Sequence, residues 1–348
     1  MPLSTSNSDR PQAGKLHIVL LLALCALFCV AVEVVTAHFF GRVSRVEMRR
    51  ETEYGAAFSI KSAKAYQKKS VLVAGNSLLL HGVDFPELRR ALGPGVELNR
   101  SVFENTFFFD WYYGLRQLFN AGARPDVVVL VFGPWHLISD SFDGDYSVHM
   151  MVDERDLVRF ANDTGADRNE MSVMALDKAS FFYGTRAEIR TWVLNKILPD
   201  LPTLTNHFRF KPALPSDRSV SDIAANRLRL LRDLCERNGT ELILVVPPSQ
   251  DDSGLSVITE TAASQGVPAL IPVRALPRSD YADSVHLNPL GAAVFTQALA
   301  KGLKPLIEVE PTQATIPVPE KYHAAEASSA RGETRHTRTA LQVTALPK

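Results

Sequence analysis

The chain begins polar over residues 1–15 and then runs apolar, almost without a break, from residue 16 to residue 40. Residues 18–32 carry no charge. Glu33 interrupts the run, and apolar character resumes through Val34, Val35, Phe39 and Phe40. A helix of about 20 apolar residues spans a bilayer, so residues 16–40 read as a transmembrane signal anchor. The uncharged part alone also has the length of a cleavable secretory signal, with Val35-Thr36-Ala37 as a small-residue cleavage site, or of a buried helix. Residues 41–68 are charged and read as a helical stalk.

Beyond residue 68 short apolar runs alternate with amphipathic stretches. Residues 71–74 form a strand pattern that ends in Gly75-Asn76-Ser77. Residues 78–92 suit a loop and a helix capped by Asp84, Pro94-Gly95 is a turn, and residues 96–99 suit a second strand. Residues 109–119 set Trp111, Leu115 and Leu118 near one helical face. Residues 127–132 are an almost unbroken β-branched run, the pattern of a strand covered on both faces. Residues 139–217 hold apolar residues at helical spacing without a clear strand and read as a helical insertion over the sheet. Within it Phe181, Phe182, Tyr183, Arg186 and Arg190 are candidates for lining a cleft, although for any one of them a packed helix with solvated arginines is the plainer reading. Alternation then resumes. A helix over 222–238 is ended by Gly239, a strand over 241–246 is closed by Pro247-Pro248, and a helix over 257–265 is followed by a short strand in 268–272 and a last helix over 290–303. Repeated strand–helix units predict an α/β fold with a parallel sheet and helices on both faces. From residue 309 onward Pro, Thr, Ala, Ser and Glu dominate without an apolar period, the composition of a disordered tail.

Composition narrows the function classes. Of the 348 residues 46% are hydrophobic and 22% charged, and the formal net charge is zero. No basic face for nucleic acid is expected. The three cysteines form no C-x-x-C pair, so neither a zinc site nor a disulfide framework is supported. No G-x-G-x-x-G follows a strand, and the scattered histidines lack metal-ligand spacing. No cofactor and no metal are expected. Arg42, Arg45, Arg49 and Arg50 follow the span, and the positive-inside rule alone would keep the main domain in the cytoplasm. An N-terminal anchor ahead of a large domain normally delivers that domain outside, so an extracytoplasmic (periplasmic) location is expected.

Two stretches carry chemistry. Ser77 lies where a central strand ends and a helix begins, the edge at which open α/β sheets place ligands, and its N–H sits at a helix N-terminus suited to an anion. The plain alternative is a helix N-cap. Asp283 and His286 are three residues apart in a loop before Asn288-Pro289, a good helix entry. Asp283 can accept the Nδ1 proton of His286 and leave Nε2 to activate Ser77. His81, close after Ser77, is the one other histidine of interest.

Together Gly75-Asn76-Ser77 and Asp283-Ser284-Val285-His286 resemble the first and last motif blocks of the SGNH (GDSL-type) hydrolase superfamily. The resemblance covers about residues 69–308, apart from the insertion at about 139–217. It implies a flavodoxin-like three-layer α/β/α sandwich and a serine ester hydrolase or acyltransferase, with Ser77 as nucleophile, His286 as general base and Asp283 orienting it. The middle blocks depart from the pattern. Where the family has an oxyanion-binding glycine, this chain has Asn99-Arg100-Ser101-Val102. Where it has Gly-x-Asn, this chain has Gly133-Pro134-Trp135-His136, with Trp135 in place of the Asn. The candidate oxyanion donors are therefore Ser77, Ser101, Asn105 and His136. Trp135, Tyr183 and Arg186 are candidate substrate contacts. By resemblance, anchored members act on cell-envelope polysaccharide beside a membrane-bound O-acyltransferase. An ester or glycan substrate and such a partner are thus expected. The alternative is a catalytically weak or inactive SGNH-fold subunit for glycan binding or assembly, which the missing Asn favours.

Overall fold

In the computed structural model residues 10–198, 214–250 and 253–307 are described. The tail expected from residue 309 and the end of the insertion lie outside them. Helix α1 (Arg10–Val43) contains one stretch, Lys15–Val43, that is long and apolar enough to cross a membrane. Ser44 then interrupts the helix and caps α2 (Arg45–Ala57), accepting the Glu47 N–H at 3.2 Å.

The stalk expected over 41–68 is not a stalk. Helix α2 lies on the edge strand of the sheet, with Tyr54 and Ala57 buried. The Tyr54 hydroxyl is 3.1 Å from the Gly114 carbonyl and 2.8 Å from Gln117 Oε1. Glu53 accepts from the Arg100 guanidinium at 2.9 Å and from the Val102 N–H at 3.1 Å. The charges that suggest a solvated helix are paired with a strand distant in sequence.

The sheet is built from β1 (Lys69–Gly75), followed by α3 (Ser77–Gly82) and α4 (Phe85–Leu92); β2 (Val96–Val102), followed by α5 (Phe108–Asn120); and β3 (Val127–Val131). The insertion follows as α6 (Pro134–Ile138), α7 (Asp145–Met151), α8 (Leu157–Asp163), α9 (Arg168–Ala179) and α10 (Phe181–Ile197), and it holds no strand among the described residues. The chain closes with α11 (Asp217–Glu236), β4 (Glu241–Val245), α12 (Leu255–Ser264), β5 (Ala269–Leu270) and α13 (Pro289–Ile307). All pairings are parallel, in the order β2-β1-β3-β4-β5.

Alternation along each strand decides the packing. Val71, Val73, Val129 and Ile243 face Leu79, Leu88 and Phe295 of α3, α4 and α13. Leu72, Ala74, Val128 and Leu244 face Trp111, Leu228 and Ile258 of α5, α11 and α12. Covering both faces is why these strands read as continuous apolar runs. At the amino edge of the sheet the buried Asp126 carboxylate gathers the N–H groups of Ala63 and Ser70, each at 2.9 Å, and the Ser62 hydroxyl at 2.5 Å. Burial pushes its pKa up, but these donors outweigh it and hold the group below its ordinary value.

Tyr54→Ala tests the place of α2. Loss of a buried aromatic costs about 3–5 kcal/mol, whereas a residue on a solvated stalk costs under about 0.5 kcal/mol. A large drop in the urea midpoint of the full-length protein in detergent micelles is expected.

Candidate active site

The strand order reverses around β1, which has β2 on one side and β3 on the other. The loops leaving the carboxyl ends of these three strands therefore meet, the arrangement that opens a crevice in α/β sheets. Gly75 ends β1 where a Cβ would lie 2.8 Å from the Val131 carbonyl oxygen, so a side chain would push the two strands apart. Asn76 follows and is fully buried. Its Oδ1 accepts the Leu78 N–H at 3.0 Å, capping α3, and its Nδ2 donates to the Thr106 carbonyl at 3.1 Å. The helix cap is thus Asn76 and not Ser77, which frees the serine side chain for the crevice. Ser77 is the first residue of α3, and its N–H is one of the helix's donors without an i−4 acceptor.

The three residues expected to act together are together. Ser77 Oγ lies 2.8 Å from His286 Nε2, and His286 Nδ1 lies 2.8 Å from Asp283 Oδ2. The second Asp283 oxygen, Oδ1, accepts the N–H groups of Val285 and His286, each at 2.7 Å. Burial pushes the Asp283 pKa up, but the His286 N–H, the His286 ring and the Val285 N–H prevail and hold it below its ordinary value. An ionised Asp283 places the imidazole proton on Nδ1, and Nε2 is then the acceptor for the Ser77 hydroxyl. The loop is clamped from behind as well. Asn288 Oδ1 caps α13 by accepting Leu290 N–H at 3.0 Å and Gly291 N–H at 3.1 Å, while Asn288 Nδ2 donates to the Ser279 carbonyl at 2.6 Å.

A second imidazole stands beside this relay. The His81 ring centroid is 4.9 Å from that of His286. Burial, followed by the charge of His286, lowers the His81 pKa below the ordinary 6.5.

The expected oxyanion donors divide. Ser101 does not fit the role. Strand β2 continues to Val102, Ser101 is paired with Ala74 inside the ladder, and its side chain is fully buried. The end of β2 is set by its register with β1, which extends the strand three residues past the expected 99. Beyond it Phe103 N–H donates to the Gly75 carbonyl at 3.1 Å, which draws the 103–107 loop against the start of the Ser77 turn. In that loop Asn105 has φ +61° and is exposed, and its Nδ2 donates to Asp143 Oδ1 at 3.0 Å. Its side-chain amide is held by Asp143, so what Asn105 brings to this loop is a left-handed turn that Asn tolerates better than other non-glycine residues. His136 lies in α6 and stacks on Phe107 at a centroid distance of 5.5 Å.

A cavity of about 460 Å³ adjoins the relay. It is lined by Leu78 and Val285, the neighbours of Ser77 and His286 in sequence, and by Trp135, His136, Pro247 and Leu255 among others. Trp135 is therefore at the cavity, as expected. Tyr183 and Arg186 are not among its lining residues. Arg186 donates to Asp177 at 2.5 Å, is paired with Asp145 at 2.9 Å, and lies over the Tyr183 ring at 3.7 Å. Two carboxylates from α7 and α9 hold the side chain that was a candidate for substrate. The residues that sequence reasoning missed are Asn76 and Thr106 as brackets of the serine turn. The Asn of Gly-Asn-Ser was in view, but nothing local to it names Thr106 as partner.

The chain matches no protein-family model, and no curated protein matches it in sequence.

The His81–His286 contact makes a measurable difference. In histidine-labelled protein followed by NMR, His81 is expected to titrate below 6.5, the ordinary value. Its midpoint is expected to move up in His286→Ala, because the charge of His286, one of the causes of its depression, is gone. An unmoved midpoint would show that the two rings do not sense each other.

Proposed function

We propose that the chain is a membrane-anchored serine esterase or O-acyltransferase, with Ser77, His286 and Asp283 as its catalytic residues and its main domain outside the cytoplasm. The single observation that carries this reading is the continuous relay from Ser77 Oγ through His286 to Asp283, with 2.8 Å at each step. The strand order 2-1-3-4-5 is that of flavodoxin-like sheets, which supports the SGNH resemblance. The apolar span of α1 supports the anchor.

In this mechanism Ser77 Oγ attacks the ester carbonyl while its proton passes to His286 Nε2. Asp283 stabilises the imidazolium that results. The oxyanion is met by the Ser77 N–H and by donors of the 103–107 loop and of the start of α6, with His136 the proposed replacement for the family's Asn. The tetrahedral intermediate expels the alcohol, which takes the proton from His286, and leaves an acyl-serine. Water or a sugar hydroxyl then gives its proton to His286 and accepts the acyl group. By the same resemblance the substrate is an acylated envelope glycan, and a membrane-bound O-acyltransferase is the partner.

Labelling of the detergent-solubilised full-length protein with a fluorophosphonate tests the nucleophile. Labelling is expected in the parent and lost in Ser77→Ala and His286→Ala. Asp283→Asn, which offers Nδ1 a donor and favours the wrong tautomer, is expected to slow it by about 10⁴-fold. His136→Ala is expected to lower ester turnover by about 100- to 1000-fold, the cost of one oxyanion donor; unchanged turnover removes His136 from the mechanism. A folded protein that does not label at all supports the second reading, a glycan-binding or assembly subunit, which Trp135 in place of the family's Asn favours.

A further inference from the structure

Glu33, inside the apolar run of α1, ties the helical insertion to that helix. Glu33 accepts from the Ser180 hydroxyl at 2.7 Å, from the Phe182 N–H at 3.2 Å, and from the Phe181 N–H. All three donors come from the corner between α9 and α10. The carboxylate is thus the outside partner for the first amides of α10, groups that no intrahelical acceptor serves. Further contacts join the same elements: α10 packs along α1 and α7, and at Gly184 a Cβ would lie 2.8 Å from the His149 ring.

The thickness of a bilayer says where this corner sits. A hydrocarbon core of about 30 Å takes up about 20 helical residues at roughly 1.5 Å each. Counted from Lys15, where the span starts, those residues end near Val35. Glu33 then lies within roughly 3 Å of the domain-side boundary. What it holds there is aromatic and apolar. Phe182 is 40% exposed, and Leu176, one turn before the corner, is 51% exposed. On the anchor's side Val34, Val35 and Phe39 are exposed at the same level, followed by exposed Arg42 and Arg45. Phenylalanine and leucine on an interfacial face bury into the headgroup–acyl boundary. An exposed phenylalanine continuous with an apolar span has the bilayer itself as its natural cover.

We propose that the α9–α10 corner is a second membrane contact. Phe182 and Leu176 sit in the headgroup–acyl boundary of the bilayer that α1 spans, and Glu33 is the pin that sets them at that depth. The insertion thereby fixes the tilt of the whole domain over the membrane. The inference rests on the membrane-anchor reading of α1 and is independent of the chemistry at Ser77.

The test uses full-length protein in vesicles of phosphatidylcholine and phosphatidylglycerol that carry nitroxide lipids. An environment-sensitive thiol label is placed by Phe182→Cys in a Cys25→Ser/Cys29→Ser background, since Cys235 is buried. Reference labels sit at exposed Lys301 on α13, through Lys301→Cys in the same background, and at Cys25 within the span in a separate Cys29→Ser protein. The label at 182 is expected to be quenched at least about threefold more than that at 301, and more by headgroup than by mid-chain nitroxides. Cys25 is expected to show the opposite depth preference. Glu33→Gln is expected to remove most of the quenching at 182 and leave Cys25 unchanged; unaltered quenching at 182 overturns the pin. Quenching at Cys25 with none above the Lys301 level at 182 overturns the corner contact alone. Protection at 182 that persists without lipid and grows with protein concentration also overturns it, since a second copy then covers the corner. A Cys25 label that no lipid quenches overturns the anchor together with the corner, whatever the fluorophosphonate result.

Discussion

The candidate site depends on one carboxylate that uses both of its oxygens. The segment before α13 has little regular structure, and ordering such a loop costs about 1–2 kcal/mol per residue in backbone entropy. Asp283 Oδ1 gathers the Val285 and His286 N–H groups, which closes the turn, and Oδ2 takes the His286 Nδ1 proton. Loop conformation and ring orientation therefore come from the same side chain. A bystander near the histidine would fix at most one of them. Asn76 plays the matching part across the crevice. One end of its amide caps α3 and the other holds the Thr106 carbonyl, so the serine turn and the 103–107 loop share a single buried bracket. Asp283 and the Asn76 oxygen act on backbone two or three residues away, while the Asn76 Nδ2 reaches Thr106 in a separate loop, with the packed sheet as a rigid base.

This local character is why the site was legible. Gly-Asn-Ser and Asp-x-x-His encode their geometry in short sequence: a glycine where a Cβ would strike Val131, an amide to cap, and an acid three residues before its imidazole. The strands were legible for a related reason, since β-branched runs buried on both faces leave an unbroken apolar signal. What failed depends on partners far along the chain. Helix α2 was read as a stalk because the role of Glu53 shows only when Arg100, 47 residues away, is brought beside it. Arg186 reads as a cleft candidate from its own stretch because its partners, Asp145 and Asp177, sit on two other helices. Ser101 was misplaced because the length of β2 is decided by pairing with β1, which the residues of β2 do not encode alone.

The misread helix matters most for how the anchor relates to the site. One residue, Ser44, separates α1 from α2, whose Arg49 and Arg50 both pair with Glu104, with Arg50 Nε at 3.0 Å from Oε2. Arg49 also donates to the Val102 carbonyl at 2.9 Å, and Arg50 reaches Glu188 of α10 at 3.0 Å. Burial pushes the Glu104 pKa up, but Arg50 and Arg49 prevail and lower it, so the carboxylate stays charged. Glu104 immediately precedes Asn105 in the loop beside Ser77. The loop that borders the crevice is thus held by cations on a helix joined directly to the long apolar helix α1.

Such a network is weak as a source of stability, because removing charges from water offsets most of their attraction. It is strong as a constraint, because Arg50 is shared: losing it leaves Glu188 without this cation and Glu104 with Arg49 alone. Residues with these properties fix position more than they deepen the fold. Arg50, buried and shared between Glu104 of the crevice loop and Glu188 of the insertion, ties together three parts that the sheet alone leaves separate. A rotation of the domain about the anchor would have to break this junction. The direction from which the crevice opens relative to α1 is accordingly set by the same residues that shape one of its walls.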